Sequence, residues 1–476
     1  MLYQRSLTIL ALVLVAQFVI PSAPAFGKGN AEDANQLQAG VAVVEITPPV
    51  PFRMSGYFNE RLSTGVKDPL QAKAVVLQQG NESAALVFCD LIGVPASVTK
   101  GARQLASEAT GIPAEHIAVA ATHSHTGPLY FGALHEYFHE RAQARRGADP
   151  YNAREYAEQL AEKIAVAVVK AKSALQPVHL AAGNAHEDRL SFNRRFFMND
   201  GSVRFNPGPL NPDIVRAAGP IDPQVGTILI KSLDGSTPLA AIVAFALHLD
   251  TVSGTEYSAD YPQAVEDRLR ESFGRDFTLL FGAGTCGDIN HIDVTTRARR
   301  KAEEIGRMLG ETIEQAAARG EFTPLDQPSL SVRSAQVEVP LQTYSDDELA
   351  KARENMALIG TRELPFLEQV KACTIMDLAH RGTPMLPLEV QVIRLSASTA
   401  IVTLPGEVFV DLGLAIKAAS PFKTTLVIEL ANDSPAYIPT KKAFAEGSYE
   451  TVNSRVQPGS GEKMVDAAIR LLRELE

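Results

Sequence analysis

The sequence predicts an α/β fold in which mixed β-sheets are flanked by helices, and three observations support this prediction. Short runs rich in Val, Ile and Ala are broken by Gly and Asn, which is typical of strands and hairpins. Other segments carry apolar residues at the spacing of an amphipathic helix. No internal repeat or low-complexity linker divides the chain. We therefore expect one large domain at residues 26–476.

The first 25 residues have the pattern of a secretory signal peptide. Arg5 precedes an uncharged apolar run from Leu7 to Ile20, and Ala23-Pro24-Ala25 fits the small-x-small cleavage rule. The run is shorter than the roughly 20 residues that a membrane-spanning helix needs. We predict a signal peptide at residues 1–25 and a secreted or periplasmic protein without a stable membrane span.

In the first half of the domain, the patterns predict strand regions and one long helix. These are a strand at 39–48, a hairpin at 71–94 whose second arm ends at Asp90, a strand "IAVAAT" that runs into His123 and His125, and a helix from Asn152 to Leu175.

Residues 199–224 separate the two halves and carry five prolines and three glycines in 26 positions. This density leads us to expect an irregular loop. A loop of this length in a compact domain is usually functional, although an ordinary surface excursion is the alternative. Because Val203, Phe205 and Leu210 are apolar, we expect them to pack as a wall beside the functional site.

The second half alternates strands and helices. Strands are predicted as a pair at 226–248, a single strand at 277–284, a hairpin at 387–407 that runs into a helix, and a strand at 424–433. Helices are predicted from Pro262 to Phe273, from Thr295 to about Arg319, after the capping box at Ser345 to Glu348, and at 460–475.

Charge and cysteine content exclude several classes of protein. The net charge is −10, and removal of residues 1–25 takes away one Arg and no acid, leaving 44 basic and 55 acidic residues, or −11. An acidic chain argues against nucleic acid as a partner. Cys89, Cys286 and Cys373 are an odd number without C-x-x-C spacing, so we expect neither a disulfide framework nor a zinc knuckle, and at most one bridge.

Four candidate sites share one placement, because each lies where an apolar strand gives way to a loop or helix. They are His123 with His125, His248 after "AIVAFAL", Glu407 in "IVTLPGE" and Tyr437 in "NDSPAYIPT". Side chains at the carboxyl ends of strands converge in open α/β sheets. A zinc ion takes about four nitrogen, oxygen or sulfur ligands, and a catalytic site keeps one position for water. Residues i and i+2 of a strand share a face, so both histidines can bind metal, or one can meet substrate.

Taken singly, most of these residues have ordinary structural explanations. His248 on an apolar strand is typical of a hydrogen-bonded core histidine. Glu407 suits the positive end of a helix dipole, and Tyr437 suits half-buried packing. Only the H-x-H pattern favours function by itself.

The segment "ATHSHTGP" resembles the T-H-x-H-[ST]-G-P signature of the neutral ceramidases, the zinc-dependent amidases that hydrolyse N-acyl sphingosine. Further blocks resemble that family in the same order, over a stretch from about Val41 to the C-terminus. They are "AFALHLDTVSG", "SADYP", "TCGDINHID", "LPGE" and "AYIPTKKAFAEGSYE".

The resemblance implies a ligand set for one zinc ion per chain. It identifies His123, His248, Glu407 and Tyr437 as the metal ligands. It also implies that His125 lies beside the metal, where it assists the reacting carbonyl or the proton transfers. As a weak ligand, Tyr437 can instead stabilise the tetrahedral oxyanion.

The segment "FNRRF" resembles the Asn-Arg block of the family and implies that Arg194 lies near the polar group of the substrate. The catalytic residues implied in this way are His125, Tyr437 and Arg194. The expected chemistry is hydrolysis by zinc-bound hydroxide, because zinc lowers the pKa of bound water to about 7 and polarises the amide oxygen.

The chain departs from the family in two places. Where the family has G-D-V-S-P-N, this chain reads Gly287-Asp288-Ile289-Asn290-His291, so a serine nucleophile is excluded at that position. There is no G-x-S-x-G elsewhere. We expect Asp288 or His291 to orient a ligand histidine from behind, although Asp288 also suits a turn. The chain also ends at the helix predicted at 460–475, so we expect no C-terminal immunoglobulin-like domain of the kind that ceramidases carry.

The leading hypothesis is a secreted zinc-dependent amidohydrolase that acts on ceramide or another N-acylated lipid or amine. One alternative is a barrel-type metal hydrolase, which also places H-x-H at a strand end. The other is an exported, non-catalytic binding protein on the same scaffold. The sequence leaves the oligomeric state open.

Overall fold

The computed structural model describes residues 35–235 and 237–476, so the predicted signal peptide at residues 1–25 lies outside the described residues. The first strands are β1 (Gln38–Glu45), β2 (Gly65–Val66), β3 (Gln71–Gln79), β4 (Glu82–Cys89), β5 (Ile117–Ala121), β6 (Gln176–His186), β7 (Phe192–Asn193), β8 (Arg195–Met198), β9 (Val203–Phe205), β10 (Ile214–Ala217) and β11 (Gln224–Ser232). The later strands are β12 (Pro238–Phe245), β13 (Glu256–Tyr257), β14 (Thr278–Ala283), β15 (Ile289–Asn290), β16 (Thr323–Pro324), β17 (Pro328–Pro340), β18 (Met385–Ser396), β19 (Thr399–Thr403), β20 (Glu407–Val408), β21 (Thr424–Ile428) and β22 (Tyr437–Ile438).

The helices lie mostly between the strand groups. They are α1 (Ala96–Thr110), α2 (Gly132–Arg146), α3 (Ala153–Ser173), α4 (Tyr261–Phe273), α5 (Ala302–Ala318), α6 (Asp346–Met356), α7 (Phe366–Arg381), α8 (Val410–Ala419), α9 (Lys441–Glu446), α10 (Tyr449–Val452) and α11 (Ser460–Glu474), with a short 3-10 turn at Ala114–His116.

Two β-sheets form the centre of the fold. The larger has the strand order β14-β12-β11-β6-β1-β3-β4-β5, with β16 paired to β6, and the smaller has the order β17-β18-β19-β21. Most neighbours are antiparallel, but the pairs β4–β5, β12–β14 and β19–β21 are parallel. The predicted class, an α/β fold with mixed sheets, is therefore confirmed. The barrel alternative is wrong, because such a barrel needs eight parallel strands.

Both faces of the larger sheet are buried, which explains why its strands read as continuous apolar runs. In β4, Leu86 and Phe88 pack toward the smaller sheet, while Val87 packs toward α1 and α3. Helices α4 and α5 cover the part of the same outer face formed by β11, β12 and β14. On the far side of the smaller sheet lie α8 and α11. The layers are therefore helix, sheet, sheet, helix, and residues 36–476 form one compact unit.

Two predicted elements differ from the observed ones. The helix expected from Thr295 begins at Ala302, because Asp293 accepts the N–H of Thr295 at 2.8 Å and holds the chain in a turn. Residues 199–224 were expected to be irregular, yet they contain β9 and β10, which pair with opposite edges of β8. The prolines lie in the turns outside these short edge strands, where a missing N–H is tolerated.

The apolar residues of this segment divide into two groups. Val203 is buried, and the ring of Phe205 stacks on Tyr449 with the centroids 4.6 Å apart. Leu210 has φ of 55° and is 53% exposed, so it does not join the expected wall. Val203 and Phe205 therefore pack against the rest of the domain, whereas Leu210 does not.

The cysteines and helices answer two further questions from the sequence. Cys89, Cys286 and Cys373 are all free and buried, and burial raises the pKa of the Cys373 thiol to about 12. Among the described helices, none combines the length and apolar character needed to cross a lipid bilayer.

Candidate metal centre

The loops after β5 and β12 bring the predicted histidines together. His123 follows β5 by two residues and has φ of 81°, a backbone conformation that residues with a Cβ adopt at a cost. Its N–H donates to Leu91 O at 2.9 Å, while the N–H of His125 donates to Leu249 O at 3.1 Å. The H-x-H pair therefore lies in a turn, whereas the sequence had suggested a strand. The turn, rather than strand alternation, places the two rings 4.9 Å apart.

Three imidazole rings meet at this point. The Nε2 atom of His123 lies 3.0 Å from Nε2 of His248 and 3.3 Å from Nε2 of His125. Among residues 35–235 and 237–476, these three side chains are the one group of three or more His, Cys, Asp or Glu residues whose ligand atoms all lie within 4.8 Å of one another. This group can hold a metal ion.

The hydrogen bonds of the rings show why a cation fits between them. Nδ1 of His123 bonds to Ile92 O at 2.8 Å, and Nδ1 of His248 bonds to Cys286 O at 3.1 Å. A carbonyl oxygen can only accept, so each Nδ1 carries the proton and each neutral ring presents a lone pair at Nε2. Two lone pairs 3.0 Å apart repel each other unless a cation lies between them. The donor set therefore suits a divalent metal.

Glu407 adds a carboxylate to the same cluster. Its Oε2 atom lies 3.4 Å from Nε2 of His123 and 3.7 Å from Nε2 of His248. This oxygen is buried and has no hydrogen-bond partner among the described residues. Two imidazole nitrogens with a carboxylate oxygen are a set that zinc prefers, so the residues present fit the ion that the sequence implied.

Glu407 and Tyr437 are brought together by backbone pairing. The strands β20 and β22 are parallel, and Glu407 is the register partner of Tyr437. The N–H of Glu407 donates to Ala436 O at 2.9 Å. Helix α8 and strand β21 separate the two residues in sequence, so this pair depends entirely on the tertiary fold.

The guanidinium of Arg194 contacts His248 and Tyr437. Its Nη2 donates to the Tyr437 hydroxyl at 3.0 Å, its Nη1 lies 3.3 Å from Nε2 of His248, and its Nε donates to Glu450 at 2.9 Å. Burial would lower the pKa of Arg194, but Tyr437 and Glu450 hold that pKa well above its ordinary value. The resemblance had implied that Arg194 meets the substrate, whereas the structure directs its guanidinium onto two of the implied ligands.

The surroundings favour the neutral imidazoles and the charged carboxylate. Burial, with a smaller contribution from His123, lowers the pKa of His125 to about 4. Burial and Arg194 lower the pKa of His248 well below its usual range. Burial opposes ionisation of Glu407, but the interactions with His123, Tyr437 and Arg194 together hold the pKa of Glu407 below its ordinary value. Neutral imidazoles and a carboxylate are the forms that bind a metal.

An apolar pocket opens beside this cluster and has a volume of about 190 Å³. His123, His125, Glu407 and Tyr437 lie in its wall. The rest of the wall is largely apolar and includes Phe58, Ile92, Leu129, Phe131, Leu134 and Tyr449. A reacting group at the histidines would therefore carry its apolar part along these side chains.

Comparison with solved structures identifies the architecture. The chain matches "Crystal Structure Analysis of neutral ceramidase from Pseudomonas aeruginosa" with a TM-score of 0.69 and 19% identity, over 92% of this chain and 75% of that one. A second structure, "Ceramidase complexed with C2", matches with the same TM-score and identity, over 93% of this chain and 76% of the other. The chain has the neutral ceramidase fold. No protein-family model and no curated protein sequence matches it.

The neutral ceramidase fold brings all four implied ligands of this chain together, although they lie far apart in sequence. His123, His248, Glu407 and Tyr437 are each buried or nearly so at the ends of different strands. The fold also explains why single motifs carried little information, since each residue gains its partners only through sheet pairing.

Asp288 and His291, the two residues expected to orient a ligand histidine, have other contacts. Asp288 accepts the side-chain N–H of Asn193 at 2.8 Å and the backbone N–H of Val410 at 2.9 Å. Nδ1 of His291 lies 3.0 Å from a carboxylate oxygen of Asp250. Burial raises the pKa of Asp288 to about 6. Asp288 thus links the segment around Arg194 to the start of α8. Backbone carbonyl groups, and not Asp288 or His291, bond to Nδ1 of His123 and His248.

Sequence reasoning missed Tyr449 and Glu450. The ring of Tyr449 meets that of Tyr437 edge-on at 5.4 Å, and Glu450 binds both Arg194 and Arg195. Both residues end the block "AYIPTKKAFAEGSYE" that had pointed to Tyr437. Their position in that block was the available signal.

A second histidine pair lies on α2. His135 and His139 are four residues apart with Glu136 between them, a spacing typical of zinc sites on helices. Nδ1 of His139, however, lies 2.8 Å from Asp149, which pairs with Arg53 at 2.6 Å. Among the described residues, no third His, Cys, Asp or Glu side chain completes a metal-ligating group with these two histidines.

Proposed function

We propose that the chain is a secreted zinc-dependent amidohydrolase that cleaves an N-acyl bond, with ceramide or another N-acylated lipid or amine as its substrate. The observation that carries this proposal is the convergence of three histidine Nε2 atoms with the Glu407 carboxylate in the wall of an apolar pocket. The similarity to two ceramidase structures supports the reaction class.

In this proposal His123, His248, Glu407 and Tyr437 hold the zinc ion. Zinc in such a site supplies Lewis-acid polarisation of the amide oxygen and activates water for the attack. Tyr437 carries its hydroxyl beside Arg194, which donates to it at 3.0 Å. Arg194 is therefore a positioning residue, because its hydrogen bond fixes the phenol oxygen of Tyr437 beside the reacting amide.

His125 is the residue that we assign to the substrate. It lies in the pocket wall, and its Nδ1 has no hydrogen-bond partner among the described residues. A free ring nitrogen beside the reacting amide can bond to the carbonyl or to the leaving amine. The side chains of Ile92, Leu129 and Phe131 would hold the apolar part of the substrate and keep water away from the amide.

The decisive experiment measures metal content and product release on the same preparation. The full chain, purified without chelators, is assayed by mass spectrometry for fatty acid released from a panel of N-acyl substrates. We expect hydrolysis that a chelator abolishes and zinc restores. A zinc-loaded protein that binds N-acyl lipids without releasing fatty acid would instead favour the exported binding protein.

Replacement of His125 separates metal binding from catalysis. In His125→Ala we expect kcat to fall by a factor of about 10²–10³, because a hydrogen bond formed to the reacting group is lost. We expect the zinc content to stay near that of the unaltered chain, as determined by elemental mass spectrometry. Loss of the metal in this variant would assign His125 to the ligand set with His123 and His248.

A further inference from the structure

Arg455 is the one charged residue in the pocket wall apart from the cluster of histidines and Glu407. Its side chain is only 12% exposed and lies among otherwise apolar or uncharged wall residues. A buried guanidinium is costly unless it has partners for both its charge and its N–H groups. The three nitrogen atoms of Arg455 therefore need hydrogen-bond acceptors.

Hydrogen bonds fix two of the three nitrogen atoms of this guanidinium. Nε donates to Asp377 at 2.8 Å. Nη1 donates to the backbone oxygen of Asn453 at 2.7 Å, to its side-chain oxygen at 2.8 Å, and to Thr374 at 3.3 Å. Among the described residues, no acceptor bonds to Nη2. The guanidinium of Arg455 is therefore held in place through Nε and Nη1, while Nη2 keeps its N–H groups available for another acceptor.

Arg455 shares its bonded carboxylate with a second guanidinium group. Asp377 is shared, since Arg381 lies 3.5 Å from the same carboxylate oxygen that binds Arg455. Asp433, the next carboxylate, accepts the backbone N–H groups of Ala96 and Ser434. Burial would raise the pKa of Asp377, but Arg455 and Arg381 hold it below its usual value. One carboxylate thus serves two guanidinium groups.

A continuous wall connects Arg455 to the metal centre. The ring of Tyr437 meets that of Tyr449, the hydroxyl of Tyr449 accepts the side-chain N–H of Asn453 at 3.1 Å, and Asn453 binds Arg455. A substrate lying along this wall would reach Arg455 several bonds away from the amide that reacts at the histidines.

We propose that Arg455 forms an oxyanion subsite, so that the preferred N-acyl substrates carry a carboxylate or similar singly charged group remote from the scissile amide. This inference rests on the proposed amidohydrolase function. Charge-assisted bonds from a fixed guanidinium recognise carboxylates with both strength and directional selectivity. The neutral part of such a substrate fills the apolar pocket, and its anionic end meets Nη2.

Two matched substrate pairs test the proposal and locate the charge. The first pair is N-dodecanoyl aminohexanoate and its methyl ester, which places the carboxylate on the amine side. The second is an alkyl mono-amide of dodecanedioic acid and its methyl ester, which places it at the end of the acyl chain. We expect the zinc-loaded chain to favour the charged member of one pair by at least about tenfold in kcat/KM. Ratios near one in both pairs would overturn the proposal.

Arg455→Gln and Arg381→Gln form the matched variants. Both remove one guanidinium from Asp377, but only Arg455 lies in the pocket wall. We expect Arg455→Gln to bring the charged-to-neutral ratio close to one, while Arg381→Gln keeps it. An equal change of the ratio in both variants would mean a general loosening of α7 and would contradict the subsite.

Calorimetric binding of the same compounds separates this inference from the proposed function. If no N-acyl bond is cleaved, the amidohydrolase proposal fails, yet the charged compound should still bind at least about tenfold more tightly than its ester. That preference should disappear in Arg455→Gln. Equal affinity for acid and ester in the unaltered chain would refute the subsite whatever the activity.

Discussion

His123→Ala and His248→Ala are each expected to reduce the zinc content from about one ion per chain to below about a tenth, and to abolish hydrolysis. Each substitution removes one of two Nε2 lone pairs that lie 3.0 Å apart. A zinc site built from two imidazoles and a carboxylate cannot keep its geometry with one imidazole missing. Elemental mass spectrometry of protein purified without chelators gives the stoichiometry directly.

His179→Ala provides the control for these two variants. His179 is exposed on β6, and its register through Lys231 places it level with Pro238 at the start of β12, whereas His248 follows the end of that strand, so loss of His179 should change neither metal content nor activity. Far-UV circular dichroism should show that all three variants fold. A folded His123→Ala protein that still carries a full equivalent of zinc would rule out this ligand assignment.

Glu450→Gln should destabilise the fold by about 3 kcal/mol or more, the largest effect on stability that we expect from a single neutralisation. Glu450 is fully buried and its two oxygens bind Arg194 at 2.9 Å and Arg195 at 3.3 Å. The glutamine keeps the shape but removes the charge that balances two buried guanidinium groups. Urea denaturation followed by circular dichroism gives the free energy of unfolding.

Glu446→Gln is the matched comparison for this variant. Glu446 also binds Arg195, at 3.1 Å, but it is partly exposed and has a second partner in Lys442. Loss of the Glu446 charge still leaves Arg195 paired with Glu450, so we expect less than half of the loss seen for Glu450→Gln. Equal losses in the two variants would show that Glu450 is not the anchor of Arg194.

Patterns in the sequence predicted many of the longer elements, but not α1, α2, α7, β6 or β17, and not the contacts between elements. The strands β3, β4 and β5 were predictable because both of their faces are buried and their apolar runs end at clear breaks. The edge strands β9 and β10 were not, because short strands between prolines carry no local pattern that distinguishes them from a loop.

The residues of the candidate site were also only partly predictable from the sequence. His123, His248, Glu407 and Tyr437 could be named because polar residues after apolar strands are visible locally. The position of Arg194 could not, because it follows from a buried ion pair with Glu450, more than two hundred residues later in the chain. Ion pairs between distant segments leave no periodic signal in either one.

The distribution of the proposed ligands along the chain also determines when the site can exist during synthesis. A nascent chain that has emerged only as far as α5 contains His123 and His248 but neither Glu407 nor Tyr437. The carboxylate and the phenol arrive together, when β20 pairs with β22 near the end of translation. Closing such long loops is entropically expensive and slow. Complete coordination of an ion by the proposed ligands would therefore be a late event, and metal occupancy would report that the last strands have docked.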